Sequence, residues 1–314
     1  MHSLEDELRE LRSTGNLDEV TTAQAIALER RSVFSVYGEL RAALYAAVAL
    51  VVTGVGILVR EHLDHIGRLT LIFVLALAAA ACYVPALRAR LRRTGHSTGG
   101  EYLLLLGALI VSADLGYAES HFHWLGANWS RHLLILAAFH AFTAYALESR
   151  LVLSVALTSL AGWFGIERGT GNFSPWHFAT PELGLRALLC AAVILMWRAI
   201  DQRTNAARFR EVLEHFSANL AFWGAVGWSS NAHMRLVGVV TLLSLGVIAV
   251  LKALRSREES FAVYGVGYTT LGLCLVIGQM TDLTSFGAAL VLAIVLVAAA
   301  VLRRLHDVLK EARA

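Results

Sequence analysis

The segment Glu119–His132, with the sequence E-S-H-F-H-W-L-G-A-N-W-S-R-H, carries the densest set of side chains that could bind a metal. His121 and His123 are two residues apart, so they point the same way only if the segment is extended. With Glu119 or His132 they would then complete a three- or four-ligand site for zinc or copper. The alternatives are a pH-sensing group of histidines and an ordinary set of amphipathic residues at a membrane interface.

Ionisable residues inside long apolar stretches form a second group of candidates, because a charge in hydrocarbon is costly. Asp114 and His140 lie in neighbouring apolar stretches, so they could pair and relay protons. Glu214 and His215 lie near the start of a later stretch. We predict an intramembrane polar or proton site that draws on Asp114, His140 and His215. A structural hydrogen bond between helices is the alternative.

The common signatures of nucleotide-driven and hydrolytic enzymes are absent from the sequence. There is no phosphate-binding G-x-x-x-x-G-K-[ST], no H-E-x-x-H and no G-x-S-x-G. The three cysteines stand alone inside apolar stretches, where they pack as small apolar residues. We therefore predict no catalytic residue, no nucleic-acid partner and no cofactor other than zinc or copper at the outer histidines. Whether the protein is an enzyme stays open at this point.

The elements that hold these side chains are transmembrane helices. Hydrophobic residues make up 57% of the 314 residues, charged residues 16%, and the mean hydropathy is +0.59. A helix needs about 20 residues to span a bilayer, and lipid leaves no alternative to helix for a single apolar segment. Ten apolar runs are predicted to span the bilayer as helices: residues 42–59, 69–87, 102–117, 133–147, 151–166, 183–197, 212–228, 236–251, 261–280 and 283–302.

The arginine distribution sets the predicted topology. Arg88, Arg90, Arg92 and Arg93 follow the second run without a balancing acid, which is typical of a cytoplasmic loop. Ten crossings with a cytoplasmic N-terminus leave few basic residues outside: Arg60, Arg68, Arg131, Arg168, Arg186 and Arg235. Joining the fourth and fifth runs across Glu148–Arg150 would destroy this bias. The sequence therefore predicts an all-α, polytopic bundle of about ten spans with both termini cytoplasmic.

Three regions follow from this pattern. Residues 1–40 are predicted to form a cytoplasmic amphipathic helical hairpin, broken at Ser13–Asn16. Residues 41–303 form the ten-span bundle, and residues 304–314 form a cytoplasmic tail.

Several stretches resemble a family of bacterial integral membrane proteins, domain of unknown function 2157. They are S-V-Y-G-E-L-R-A-A-L-Y at Ser35–Tyr45, G-A-N-W at Gly126–Trp129 and L-V-L-S-V-A-L-T-S-L-A-G-W-F-G at Leu151–Gly165. The resemblance implies a multi-span inner-membrane protein with a small cytoplasmic N-terminal helical region. It implies no site residues.

Three functions remain open. The first is a non-enzymatic scaffold, sensor or accessory subunit in the bacterial plasma (inner) membrane, working with partner membrane proteins or as a homo-oligomer. The second is a secondary transporter of a small solute or ion, built from two five-helix halves. The third is a membrane enzyme that binds metal at the outer histidines.

Overall fold

The computed structural model describes residues 37–62, 67–91, 98–125, 131–165, 180–202, 207–281 and 284–313, together with the single positions 12, 18 and 22. These residues contain no strand. The described residues form ten long helices, which correspond one by one to the ten predicted apolar runs. They are α1 (Tyr37–His62), α2 (Arg68–Leu91), α3 (Thr98–Phe122), α4 (Arg131–Leu147), α5 (Arg150–Trp163), α6 (Pro181–Asp201), α7 (Arg210–Ser230), α8 (Arg235–Ser256), α9 (Glu259–Thr281) and α10 (Ser285–Arg313).

The helices pack mainly against their sequence neighbours. In the N-terminal half, α1–α5, helix α2 packs along α3, α4 packs along α5, and α1 lies on α3. In the C-terminal half, α6–α10, helix α6 packs along α7, α8 along α9, and α10 on α9. Helices α5 and α7 contact each other and share one buried cluster, so they join the two halves.

A two-residue turn separates α4 from α5, at the connection on which the predicted span order depends. Glu148 adopts a left-handed conformation with φ of 57°, which ends α4. The buried Ser149 then caps α5, because its Oγ accepts a hydrogen bond from the amide of Val152 at 3.3 Å. The prediction of two separate helices here is confirmed.

The outside of the bundle is covered with large apolar side chains. Phe73, Phe142, Leu236 and Phe286 are each more than two-thirds exposed. Among the described residues, six helices are long and apolar enough to cross a membrane: α2, α3, α6, α8, α9 and α10. Helices α4 and α5 are equally apolar but shorter, with 17 and 14 residues.

Helix α7 is long but less apolar, and its packing explains this composition. It contacts α5, α6, α8 and α9, and its buried residues include Leu213, Glu214, Ser217 and Phe222. A helix that is enclosed by other helices does not need a lipid-compatible surface, so it can carry polar residues.

The ends of the chain are less fully described. Arg12 and Thr22 are helical and Asp18 is not, while the other residues of the predicted hairpin before Tyr37 lie outside the described residues. At the other end, α10 continues through the predicted boundary at residue 303 as far as Arg313. Leu309 is buried against Ala253 and Phe261, so the predicted tail packs on the ends of α8 and α9.

Candidate functional site

A cavity of about 720 Å³ lies between α1, α3, α4 and α5, and we call it the α5 groove. Its walls are largely leucine, valine and alanine. Five polar side chains interrupt this lining: Ser112, His132, Ser154, Thr158 and Ser159. Tyr45 and Thr158 are exposed, so the groove opens at the surface of the bundle. A second cavity lies among α1, α2 and α3, and a third lies among α8, α9 and α10. Both are lined almost entirely by apolar side chains.

The hydroxyl groups in the α5 groove donate their protons within their own helices. Each bonds to the carbonyl four residues earlier: Ser112 to Ala108, Ser154 to Arg150, Thr158 to Ser154 and Ser159 to Val155, at 2.8–3.2 Å. A hydroxyl whose proton is used in this way still has a free lone pair. The α5 groove therefore presents hydrogen-bond acceptors to whatever occupies it.

His140 is fully buried on α4 and bonds to the groove residue Ser112. The distance from its Nε2 to Ser112 Oγ is 2.9 Å. Ser112 Oγ is also 2.9 Å from the Ala108 carbonyl oxygen, so the imidazole tautomer decides whether Ser112 or His140 donates in the bond between them. The other ring nitrogen, Nδ1, has no partner among the described residues. His140 is thus a buried imidazole that uses one ring nitrogen on Ser112 and leaves the other without a described partner.

Asp114 does not pair with His140. The two residues lie on neighbouring helices, as predicted, but Ser112 takes the position at the imidazole. Positions two apart on a helix point in different directions, so one helix cannot present both side chains to His140. The buried Oδ1 of Asp114 and the hydroxyl of Tyr117 have no hydrogen-bond partner among the described residues.

Two of the predicted metal ligands, Glu119 and His121, are engaged in local hydrogen bonds. Glu119 is buried, and both of its carboxylate oxygens accept from the amide of Leu125, at 3.2 and 3.3 Å. His121 lies in the last turn of α3, where its Nδ1 is 3.1 Å from the carbonyl oxygen of Tyr117. The segment is therefore helical up to Phe122 rather than extended.

The other two histidines of that set diverge. His123 follows the helix with a φ of 50° and is exposed, whereas His132 is buried at the start of α4 and lines the α5 groove. Among the described residues, no three His, Cys, Asp or Glu side chains are grouped as metal ligands. Residues 126–130 lie outside the described part of this loop. Zinc or copper binding at Glu119, His121, His123 and His132 stays a prediction.

Three cations surround one buried carboxylate where α6, α7 and α8 meet, and we call this group the Glu214 cluster. Glu214 on α7 is 3% exposed. Its Oε1 is 2.5 Å from Nη2 of Arg198 on α6 and 2.8 Å from Nε of Arg210. Its Oε2 accepts from Nζ of Lys252 on α8. The hydrogen bond to Glu214 also raises the pKa of Arg210.

His215 continues this polar region on α7. Its ring is stacked on Phe261, with centroids 4.9 Å apart and planes at 10°, and it contacts Tyr264 edge-on. The Lys252 ammonium lies 3.9 Å from the centroid of the same Phe261 ring. Among the described residues, the ring contacts of His215 are to Phe261 and Tyr264 on α9, whereas Asp114 and His140 lie in the N-terminal half. The predicted polar site is thus divided between the two halves.

Polar contacts also connect the halves at the end where α4 and α6 finish. Tyr145 donates to Asp201 Oδ1 at 2.8 Å and accepts from Trp197 Nε1 at 3.1 Å. Two ion pairs flank this link, one between Arg150 and Glu211 at 2.9 Å and one between Arg208 and Glu148.

The arginines that set the predicted topology fall partly within the described residues. Arg88 and Arg90 are exposed in the last turn of α2. Arg92 and Arg93 lie outside the described residues.

In the part of the chain that the structure describes, these features define an all-helical membrane protein with a largely apolar outer surface. Residues 9–153 match the model of a family described as predicted membrane protein (DUF2157). This match confirms, over that part of the chain, the resemblance seen in the sequence. No curated protein and no solved structure matches the chain.

Sequence reasoning missed several residues that the fold brings into these sites. Ser112 had no distinguishing pattern, since a serine in an apolar run is common. For Arg198 and Lys252, the sequence predicted only the side of the membrane on which each residue lies. Lys252 carried a weak signal, because it is one of only two lysines in the chain.

Proposed function

We propose that this chain is a non-enzymatic sensor or accessory subunit of the bacterial inner membrane that holds an amphiphilic ligand in the α5 groove. The observation that carries the proposal is the mixed lining of that cavity. Its volume of about 720 Å³ falls within the range of small-molecule sites, and its walls combine apolar surface with a few polar groups.

The chemistry of the lining narrows the ligand class. The serine and threonine hydroxyls offer lone pairs rather than protons, so the ligand should carry a hydrogen-bond donor such as a hydroxyl or an amine. The leucine and valine walls favour a hydrocarbon body. Because Tyr45 and Thr158 are exposed at the opening, such a molecule would enter from the lipid.

Groove-filling substitutions test this proposal. Ser154→Phe and Thr158→Phe each place a large side chain in the α5 groove, so we expect the purified variants to lose a small molecule that co-purifies with the parent protein. Native mass spectrometry from mild detergent would identify that molecule. Val247→Phe is the matched control, because Val247 lines the apolar cavity between α8 and α10. Equal retention in all variants, or no bound molecule in the parent, would rule out the ligand role.

The transporter remains the alternative, with Asp114, His140 and His215 as its proton-carrying residues. The packing of the halves gives it little support: α6 packs along α7, whereas α1 packs on α3. Repeats related by symmetry should pack alike. Proton flux into proteoliposomes that is lost in His140→Phe and His215→Phe would favour transport over the sensor proposal.

A further inference from the structure

The Glu214 cluster holds more positive charge than its structural role requires. One carboxylate binds three cations, Arg198, Arg210 and Lys252, and each of them comes from a different helix. A single cation would neutralise Glu214. Burying charge is costly unless it is balanced, so the additional cations need a second anion or water.

Each cation of the Glu214 cluster has donors to spare. Among the described residues, Arg210 uses only its Nε on Glu214, which leaves both terminal nitrogens. Arg198 uses one terminal nitrogen on Glu214, and its buried Nε has no partner among the described residues. The side chains of Arg198, Arg210 and Lys252 are 25%, 50% and 27% exposed, so part of each side chain reaches the surface beside the buried carboxylate.

Neighbouring acids compensate this charge only in part. Glu211 pairs with Arg150, and Asp201 accepts from Tyr145. The surplus charge of the Glu214 cluster is therefore positive.

We propose that the free donors of Arg198, Arg210 and Lys252 bind one phosphate group. The group could come from an anionic membrane lipid or from free inorganic phosphate, which share this chemistry. Arg198 lies in the last turn of α6, and Lys252 lies in the penultimate turn of α8, so the site is at the end of the candidate spans where lipid phosphates reside. It is formed by other helices than the α5 groove, so it does not depend on the proposed function.

Titration of the purified full-length chain tests this site. We expect phosphatidylglycerol, added to detergent-solubilised protein and followed by native mass spectrometry, to bind more tightly than phosphatidylcholine. Arg210→Gln should weaken that binding about tenfold, since a charge-assisted contact to phosphate contributes about 1.4 kcal/mol or more. Arg304→Gln removes the same charge from an exposed position on α10 and should change little. A parallel titration with inorganic phosphate distinguishes free phosphate from lipid as the source.

Glu214→Gln gives the opposite expectation. It removes the anion that competes for the three cations, so phosphate binding should strengthen about tenfold. If this variant is too unstable to titrate alone, phosphatidylglycerol should raise its melting temperature more than that of the parent. Equal losses in Arg210→Gln and Arg304→Gln, or weaker binding in Glu214→Gln, would overturn the proposal. So would the absence of binding by both phosphatidylglycerol and phosphate.

Discussion

His140 is held by a single hydrogen bond in an otherwise apolar core. Ser112 lies between two groups, with its Oγ 2.9 Å from His140 Nε2 and 2.9 Å from the Ala108 carbonyl oxygen. Tyr145 also joins two groups, since it accepts from Trp197 and donates to Asp201. A buried polar group that loses a hydrogen-bond partner retains its desolvation cost, so both positions should respond strongly to small changes.

Replacing Ser112 by alanine should destabilise the protein by about 1–3 kcal/mol, because it leaves the buried Nε2 of His140 without its hydrogen-bond partner. Thermal unfolding in detergent would measure the loss. Ser244→Ala is the matched control, since Ser244 is exposed and bonds only to its own helix at Val240. If both variants melted at the same temperature, the His140–Ser112 bond would have no stabilising role.

Two tyrosines provide a second comparison. Tyr145→Phe removes a hydroxyl that links α4 to Asp201 and Trp197, and it should cost about 1–3 kcal/mol. Tyr117→Phe removes a buried hydroxyl that has no partner among the described residues, so it should be neutral or stabilising. Unfolding curves recorded side by side would test the pair, and a larger loss at Tyr117 would contradict these assignments.

Among the helices, the closest contacts are made through glycine. A Cβ placed on Gly224 of α7 would lie 2.8 Å from the carbonyl oxygen of Gly184 on α6, which is backbone and cannot rotate away. These glycines allow α6 and α7 to pack along their length, as small residues do in membrane bundles.

Gly224→Ala should therefore separate α6 from α7 and destabilise the protein by about 1–3 kcal/mol, the usual cost of overpacking. Gly267→Ala on α9 is the control, because no atom lies within 4 Å of the added Cβ. This control should stabilise by up to about 1 kcal/mol through helix propensity. The same sign of change in both variants would argue against the close contact.

The helices themselves were predictable because hydrophobicity and length act locally. Each of the ten apolar runs corresponds to one helix, and the short connection at Glu148–Arg150 does separate two of them. The lateral contacts were not predictable, since many helix arrangements satisfy the same apolar pattern. Thus His140 is hydrogen-bonded to Ser112 and not to Asp114. His121 lies in a helix, whereas the predicted metal site required an extended segment.

The Glu214 cluster is a second case in which contacts between helices could not be predicted from the sequence. Its carboxylate could be recognised in the sequence as an acid inside an apolar run. Its partners could not, because Arg198 and Lys252 are far away in the chain and are brought together only by the packing of α6 and α8 on α7.

For the whole molecule, the account requires the helices to cross the bilayer in alternating directions. The apolar outer surface and the enclosure of the polar residues on α7 both follow if lipid surrounds the bundle. The short α4–α5 hairpin is the critical element. If α4 and α5 made one crossing instead of two, every later helix would cross in the opposite direction.

Labelling of single cysteines by a membrane-impermeant maleimide tests this order directly. The native Cys82, Cys190 and Cys274 would be replaced by alanine, and one cysteine would be introduced at His123, Glu148, Gln202, His233 or Arg257, all exposed positions between helices. We predict that intact cells are labelled at positions 123 and 233, and that positions 148, 202 and 257 react only after permeabilisation. Labelling of positions 123 and 148 from the same side would contradict the crossing order.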